Sequence, residues 1–116
     1  MIEKFPSERQ RTVYKKWGHE RIIVNNDLYC GKILHINTGH ISSYHYHKLK
    51  TETFYVLFGT VNLQIEDNVY VLNSGDSITI KPYQKHQFKA LTSYVDIIEF
   101  STPHYDSDSY RLTESV

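Results

Sequence analysis

The chain is divided into short runs rich in β-branched and aromatic residues, and nearly every run is stopped by Gly, Asn, Asp, Ser or Pro. That punctuation limits the fold more than any other feature. The runs fall at Arg21 to Val24, Leu28 to Ile36, Ser42 to His47, Glu52 to Phe58, Thr60 to Ile65, Val69 to Leu72, Ser77 to Ile80, His86 to Leu91 and Val95 to Phe100. No stretch of ten or more residues carries a convincing 3.6-residue periodicity, so long helices are not expected. Glu66-Asp67-Asn68 and Asn73-Ser74-Gly75-Asp76 read as hairpin-type connections, the second with a glycine free to take positive φ. Strands this short and this frequent hide their edges best in a closed sandwich or barrel. The expected fold class is therefore all-β, a single-domain jelly roll spanning 21–101. A polar arm over 1–20 and a polar tail over 102–116 are expected to flank it, the arm outside the core.

With 116 residues there is room for one core and, in all, one site. Lys+Arg and Asp+Glu both total 13, so no net field favours nucleic acid or an anionic membrane, and a small-molecule partner is expected instead. No window approaches the roughly 20 apolar residues of a spanning helix, and the N-terminal sequence has no apolar run of signal-peptide length. The single Cys30 sits in a strand-like stretch as a buried thiol, and the expected location is a reducing cytoplasm.

One segment carries chemistry. In Tyr44-His45-Tyr46-His47 the two histidines are two residues apart, so on a strand both imidazoles leave one face and the tyrosines the other. Lys48 to Thr51 then form a short loop that delivers Glu52 at the start of the next strand, and His86 can reach the same point from a strand distant in sequence. Imidazole plus one carboxylate suits Zn²⁺, Fe²⁺, Mn²⁺, Ni²⁺ or Co²⁺ and does not choose among them. The expected metal ligands are His45, His47, Glu52 and His86, and the expected cofactor is a divalent transition metal.

Gly39, five residues, His45-x-His47, four residues, Glu52, six residues and Gly59 reproduce the spacing of the first cupin motif. Gly75 with His86 eleven residues later resembles the second, although Pro82 is displaced by one, Gln84-Lys85 stand where a glycine is usual, and Ala90 replaces the terminal Asn. Trp17-Gly18-His19-Glu20, Lys32 on the strand before the first motif, Glu99 on the last strand and the acidic stretch from Asp106 to Arg111 extend the likeness. In that order they resemble the C-terminal cupin domain of type II mannose-6-phosphate isomerases, without that family's nucleotidyltransferase domain or its Asp-x-Tyr-Gly-Arg ending.

The resemblance implies a cupin-type barrel and a metal-dependent isomerase or epimerase acting on a sugar or sugar phosphate. A non-catalytic sugar- or metal-binding module and a small Fe(II) dioxygenase are the alternatives. Aldose–ketose chemistry needs a base and an electrophile. Glu99 follows Val95 and Ile97 on one strand face and is a candidate base, or else the ion-pair partner of Lys32. Lys32 and Arg111 are candidates to hold a phosphate or carboxylate, and His104 is a further candidate at the substrate. Phe54, Phe58 and Phe88 are expected in the core. Tyr44, Tyr46 and Tyr55 are expected outside it, where with the arm they would support a homodimer.

Overall fold

The computed structural model describes Lys4 and residues 6–116; the rest of the expected arm, residues 1–3 and Phe5, lies outside the described residues. Eleven strands follow in chain order: β1 (Arg11–Lys15), β2 (Gly18–Asn25), β3 (Cys30–Asn37), β4 (His45–Tyr46), β5 (Glu52–Phe58), β6 (Val61–Ile65), β7 (Asn68–Leu72), β8 (Ser77–Ile80), β9 (His86–Ala90), β10 (Tyr94–Ser101) and β11 (Tyr110–Arg111). They form a six-stranded sheet in the order β1-β2-β3-β10-β5-β8 and a five-stranded sheet in the order β11-β4-β9-β6-β7. All ladder pairings between these strands are antiparallel. This is the all-β jelly roll expected from the punctuated runs.

The inward side chains of both sheets make the core, and alternation in the sequence sets which ones they are. Leu34 and Ile36 from β3, Phe54 and Val56 from β5, Val61 and Leu63 from β6, and Val95 and Ile97 from β10 are buried together with Trp17 and Phe88. The Trp17 and Phe88 rings meet edge to face at 5.0 Å between centroids.

Three differences from the sequence reading have local causes. Part of the segment expected as an arm is ordered sheet: β1 pairs along its whole length with β2, and Trp17 between them is buried in the core. Gly18 makes this possible. At φ +150° it brings the chain so close to β3 that a Cβ there would lie inside the His35 carbonyl oxygen. The segment expected as a tail likewise folds back, with β11 on β4 and mutual backbone hydrogen bonds between Ile41 and Val116. Third, Phe58 is about half exposed, not in the core. The pairing of β10 with β5 shifts register between Asp96 and Ile97, which turns Leu57 and Phe58 both outward, and Phe58 stacks on Tyr94 instead.

Two expected strand ends are also shorter. Asn26 Oδ1 accepts the amides of Leu28 and Tyr29, so those residues form a turn before β3 begins. Ser43 and Tyr44 give their amides to the hydroxyls of Ser115 and Thr113, which leaves only His45–Tyr46 as strand. Tyr46 faces outward as expected, stacked between Tyr110 and Tyr83.

Candidate metal centre

The histidines come together because β4 and β9 are neighbours. His45 and His86 are direct partners across that pairing, and His47 follows β4 two residues on. Their ligand atoms all lie within 4.8 Å of one another, so the three are positioned to hold a metal ion. Glu52 opens β5 on the opposite sheet and brings Oε1 to 2.9 Å from His86 Nε2 and 3.7 Å from His47 Nε2.

Each ring is turned by a backbone carbonyl. The Nδ1–H groups of His45, His47 and His86 donate to the carbonyls of Ser43 (2.9 Å), Asp108 (2.9 Å) and Gln84 (2.8 Å). In the neutral ring this leaves Nε2 bare, the tautomer a metal ligand needs. Burial pushes His45 down to about 3 and His47 down to about 4, so both rings stay neutral near pH 7.

The donor set can be tested for fit. Glu52 Oε1 and His86 Nε2 are buried and have no hydrogen-bond partner, and their 2.9 Å approach is not aligned as a hydrogen bond. Two bare lone pairs facing each other in a buried site repel unless a cation lies between them. Three imidazole nitrogens suit a divalent transition ion, and the Glu52 carboxylate lies close enough to His86 and His47 to fit beside them as a further donor.

Beside this cluster lies a cavity of about 270 Å³. Its walls include Lys32, Glu99, His104 and Arg111, so all four residues expected at the substrate border the same space as His45, His47 and Glu52. Lys32 and Glu99 are cross-strand partners in backbone register, but their charges go elsewhere. Lys32 pairs with Glu20 at 3.6 Å, and Glu99 pairs with Lys50 at 3.1 Å. The Lys32–Glu99 ion pair, the alternative to Glu99 as base, is thus replaced by two others.

Lys50 is the residue that sequence reasoning missed. Its side chain is 3% exposed, and its ammonium reaches Glu99 Oε2 at 3.1 Å, Glu52 Oε2 at 3.2 Å and His104 Nδ1 at 3.2 Å. Three donors meet three acceptors. Burial alone disfavours the ammonium, but Glu99 and Glu52 outweigh it and raise Lys50 above the usual lysine range. Burial would likewise raise the Glu52 carboxyl, and Lys50 with the neighbouring histidines brings it below the usual range. Glu99 is pushed up, by burial first and then by the Glu52 charge. His104 is lowered by burial and by Lys32 and Lys50; its Nδ1 accepts from Lys50 while Nε2–H donates to Asp106 Oδ1 at 3.0 Å.

The loop holding Lys50 is fixed by Asp108, whose buried carboxylate accepts the amides of Lys48, Leu49 and Lys50. Asn25 fixes His104 by exchanging two 2.9 Å hydrogen bonds with its backbone. One signal for Lys50 stood in the sequence: it is two residues before Glu52, the separation that puts His45 and His47 on one face. Nothing comparable pointed to Asp108 or Asn25.

Comparison with known proteins agrees with this fold. Similar solved structures include KdgF from Halomonas sp. (18% identity, TM-score 0.79, covering 92% of this chain and 98% of that one). Oxalate decarboxylase from Bacillus subtilis aligns with TM-score 0.82 at 16% identity over 97% of this chain, which spans about a third (33%) of that longer protein. The capsular polysaccharide assembling protein CapF from Staphylococcus aureus aligns over 95% of this chain and 35% of its own, at 17% identity and TM-score 0.79. These likenesses concern the fold. No curated protein matches the chain. The family model described as the cupin domain matches residues 32–97, from Lys32 through both histidine motifs to Ile97, and on that match the chain belongs to the cupin family.

Proposed function

We propose that the chain is a metal-dependent isomerase or epimerase acting on a small hydroxy-carbonyl compound of the sugar or sugar-phosphate class. The observation that carries this reading is the Glu99–Lys50–Glu52 network, which joins a buried candidate base to the metal-ligand set along one cavity wall. The relatives named above range from decarboxylation of oxalate to capsular polysaccharide assembly, so the fold alone does not select the chemistry. Charge in the cavity favours a polar substrate. A dioxygenase pocket for an apolar substrate would be drier, whereas this one is bordered by Lys32, Lys50, Glu52, Glu99 and His104.

A bound divalent ion would supply the electrophile for the carbonyl and hydroxyl oxygens. The chain's own residues would do the rest. Glu99, pushed up by burial, is suited to take a proton from the carbon next to the carbonyl and return it to the neighbouring one. Lys50 stays an ammonium and spends its hydrogens on holding Glu99 and Glu52 in place, so it is a positioning residue and not the base. Arg111, at the exposed side of the cavity, would hold the anionic end of the substrate.

The test is solvent exchange. Metal-loaded protein is incubated in D₂O with aldoses, ketoses and their phosphates, and deuterium at the carbon beside the carbonyl is followed by NMR. Glu99→Gln should keep its metal and lose a factor on the order of 10² to 10⁴ in exchange rate. If no sugar exchanges with any of the five candidate metals, the isomerase reading fails and a binding module takes its place.

A further inference from the structure

Nine charged side chains border the cavity, and seven of them have partners. Lys50 is bound to Glu52 and Glu99, Lys32 and Lys15 to Glu20, and Asp106 to His104. The other two are Arg11 and Arg111. Among the described residues neither guanidinium has a carboxylate within ion-pair distance, although Arg11 is near enough to help lower the Asp106 carboxyl.

Their places in the sheets aim them at one space. Arg11 belongs to a row of direct backbone partners that runs across four strands of one sheet: Arg11, Ile22, Lys32, Glu99. Lys32 and Glu99 point inward from that row, and Arg11 borders the cavity from its outer end. Arg111 belongs to the corresponding row of the other sheet: Arg111, His45, His86. With strands about 4.8 Å apart, Arg11 sits roughly 14 Å along the sheet from Glu99, while Arg111 sits one strand from a metal-site histidine. The two arginines therefore border the cavity from different sheets, and both are exposed. A guanidinium offers a planar fork of donors that matches phosphate or carboxylate oxygens in pairs.

We propose that Arg11 and Arg111 form a two-sided clamp for the anionic group, phosphate or carboxylate, of a small ligand whose other end reaches the histidine cluster. The clamp rests on the preceding reading for which end of the ligand reacts, but its binding does not. The cavity lies just below the roughly 300–1,000 Å³ range of small-molecule sites, which suits one compact ligand held at both ends rather than a polymer.

The experiment is isothermal titration of the full chain with fructose 6-phosphate, glucuronate and fructose, at low and high salt. Both anionic sugars, or one of them, should bind more tightly than fructose, and the advantage should shrink with salt. Arg11→Gln and Arg111→Gln should each weaken the anionic sugar by about tenfold, the low end for charge-assisted hydrogen bonds at an exposed mouth. Fructose binding, metal content and melting temperature should stay unchanged. A preference for fructose 6-phosphate assigns the clamp to phosphate, and a preference for glucuronate assigns it to carboxylate. Binding of anionic sugars no tighter than fructose, or unaffected by both variants, overturns the clamp. Arginine-dependent binding without solvent exchange would sink the isomerase reading alone, and exchange with arginine-independent binding would sink the clamp alone.

Discussion

Replacing Lys50 by methionine keeps most of the side-chain volume and removes the charge that two buried carboxylates share. Lys50, Glu52 and Glu99 have side chains 3%, 2% and 4% exposed, with contacts of 3.2 and 3.1 Å, so water cannot substitute for the ammonium. Breaking a buried pair in this way typically costs about 3–5 kcal/mol, because the surviving charge is left uncompensated. For 116 residues the unfolding entropy is roughly 0.24 kcal/mol/K, so Lys50→Met should melt about 12–20 °C below wild type. The cause can be isolated with Glu99→Gln added to the same chain. The amide removes one stranded charge, so the double variant should recover at least about 1–2 kcal/mol relative to Lys50→Met, a coupling between neighbours that independent sites would not give. Thermal and denaturant melts of metal-free protein at neutral pH together measure all of these. A single variant within about 1 kcal/mol of wild type, or a double variant no more stable than the single, would refute the shared-charge account.

The purified protein should bind about one divalent transition ion per chain, and added ion at a hundred times its dissociation constant should raise stability by about 2.7 kcal/mol. His47→Ala should lose both effects by elemental analysis and melting. In chelator the metal-free protein should weaken as pH falls from about 6.5 towards 4. His45 and His47 are depressed in the fold, so the unfolded chain binds protons first in this window, and each ring contributes a slope of up to roughly 1.4 kcal/mol per pH unit. A flat profile there would contradict their burial as neutral rings. Gly18→Ala should destabilise by more than about 2 kcal/mol in a chemical melt, because its Cβ would overlap the His35 carbonyl; a change below about 0.5 kcal/mol would contradict the close approach of β2 and β3.

What the sequence made legible follows from what each part of the barrel faces. Where the interior is apolar, alternation in Val56/Phe54, Leu63/Val61 and Ile97/Val95 marked both the strands and their inward faces. The meeting of the histidine pair with His86 and Glu52 was legible because a metal-binding motif needs fixed residue types at fixed spacing. At the cavity end the rule inverts. Arg11, Lys15, Lys32 and Glu99 point towards a polar space, so β1 and β11 carried no apolar alternation and read as an arm and a tail. Lys50 was hidden for the same reason, since a lysine in a short polar loop looks like a solvated one. Phe58 erred in the opposite direction, because a one-residue slip in pairing is invisible until the partner strand is known.

Asp108 ties the loop at 48–50 to a segment sixty positions further along the chain, and its carbonyl turns His47. A ribosome delivers the His45-x-His47 pair long before that anchor. While Asp108 is still in the exit tunnel, the carbonyl that turns the His47 ring and the carboxylate that fixes the 48–50 loop are both missing. A nascent chain can therefore present these imidazoles before the contact that orients His47 is available. The setting of His47 and of the 48–50 loop is in this sense a post-synthetic property, acquired only when Asp108 has packed against them.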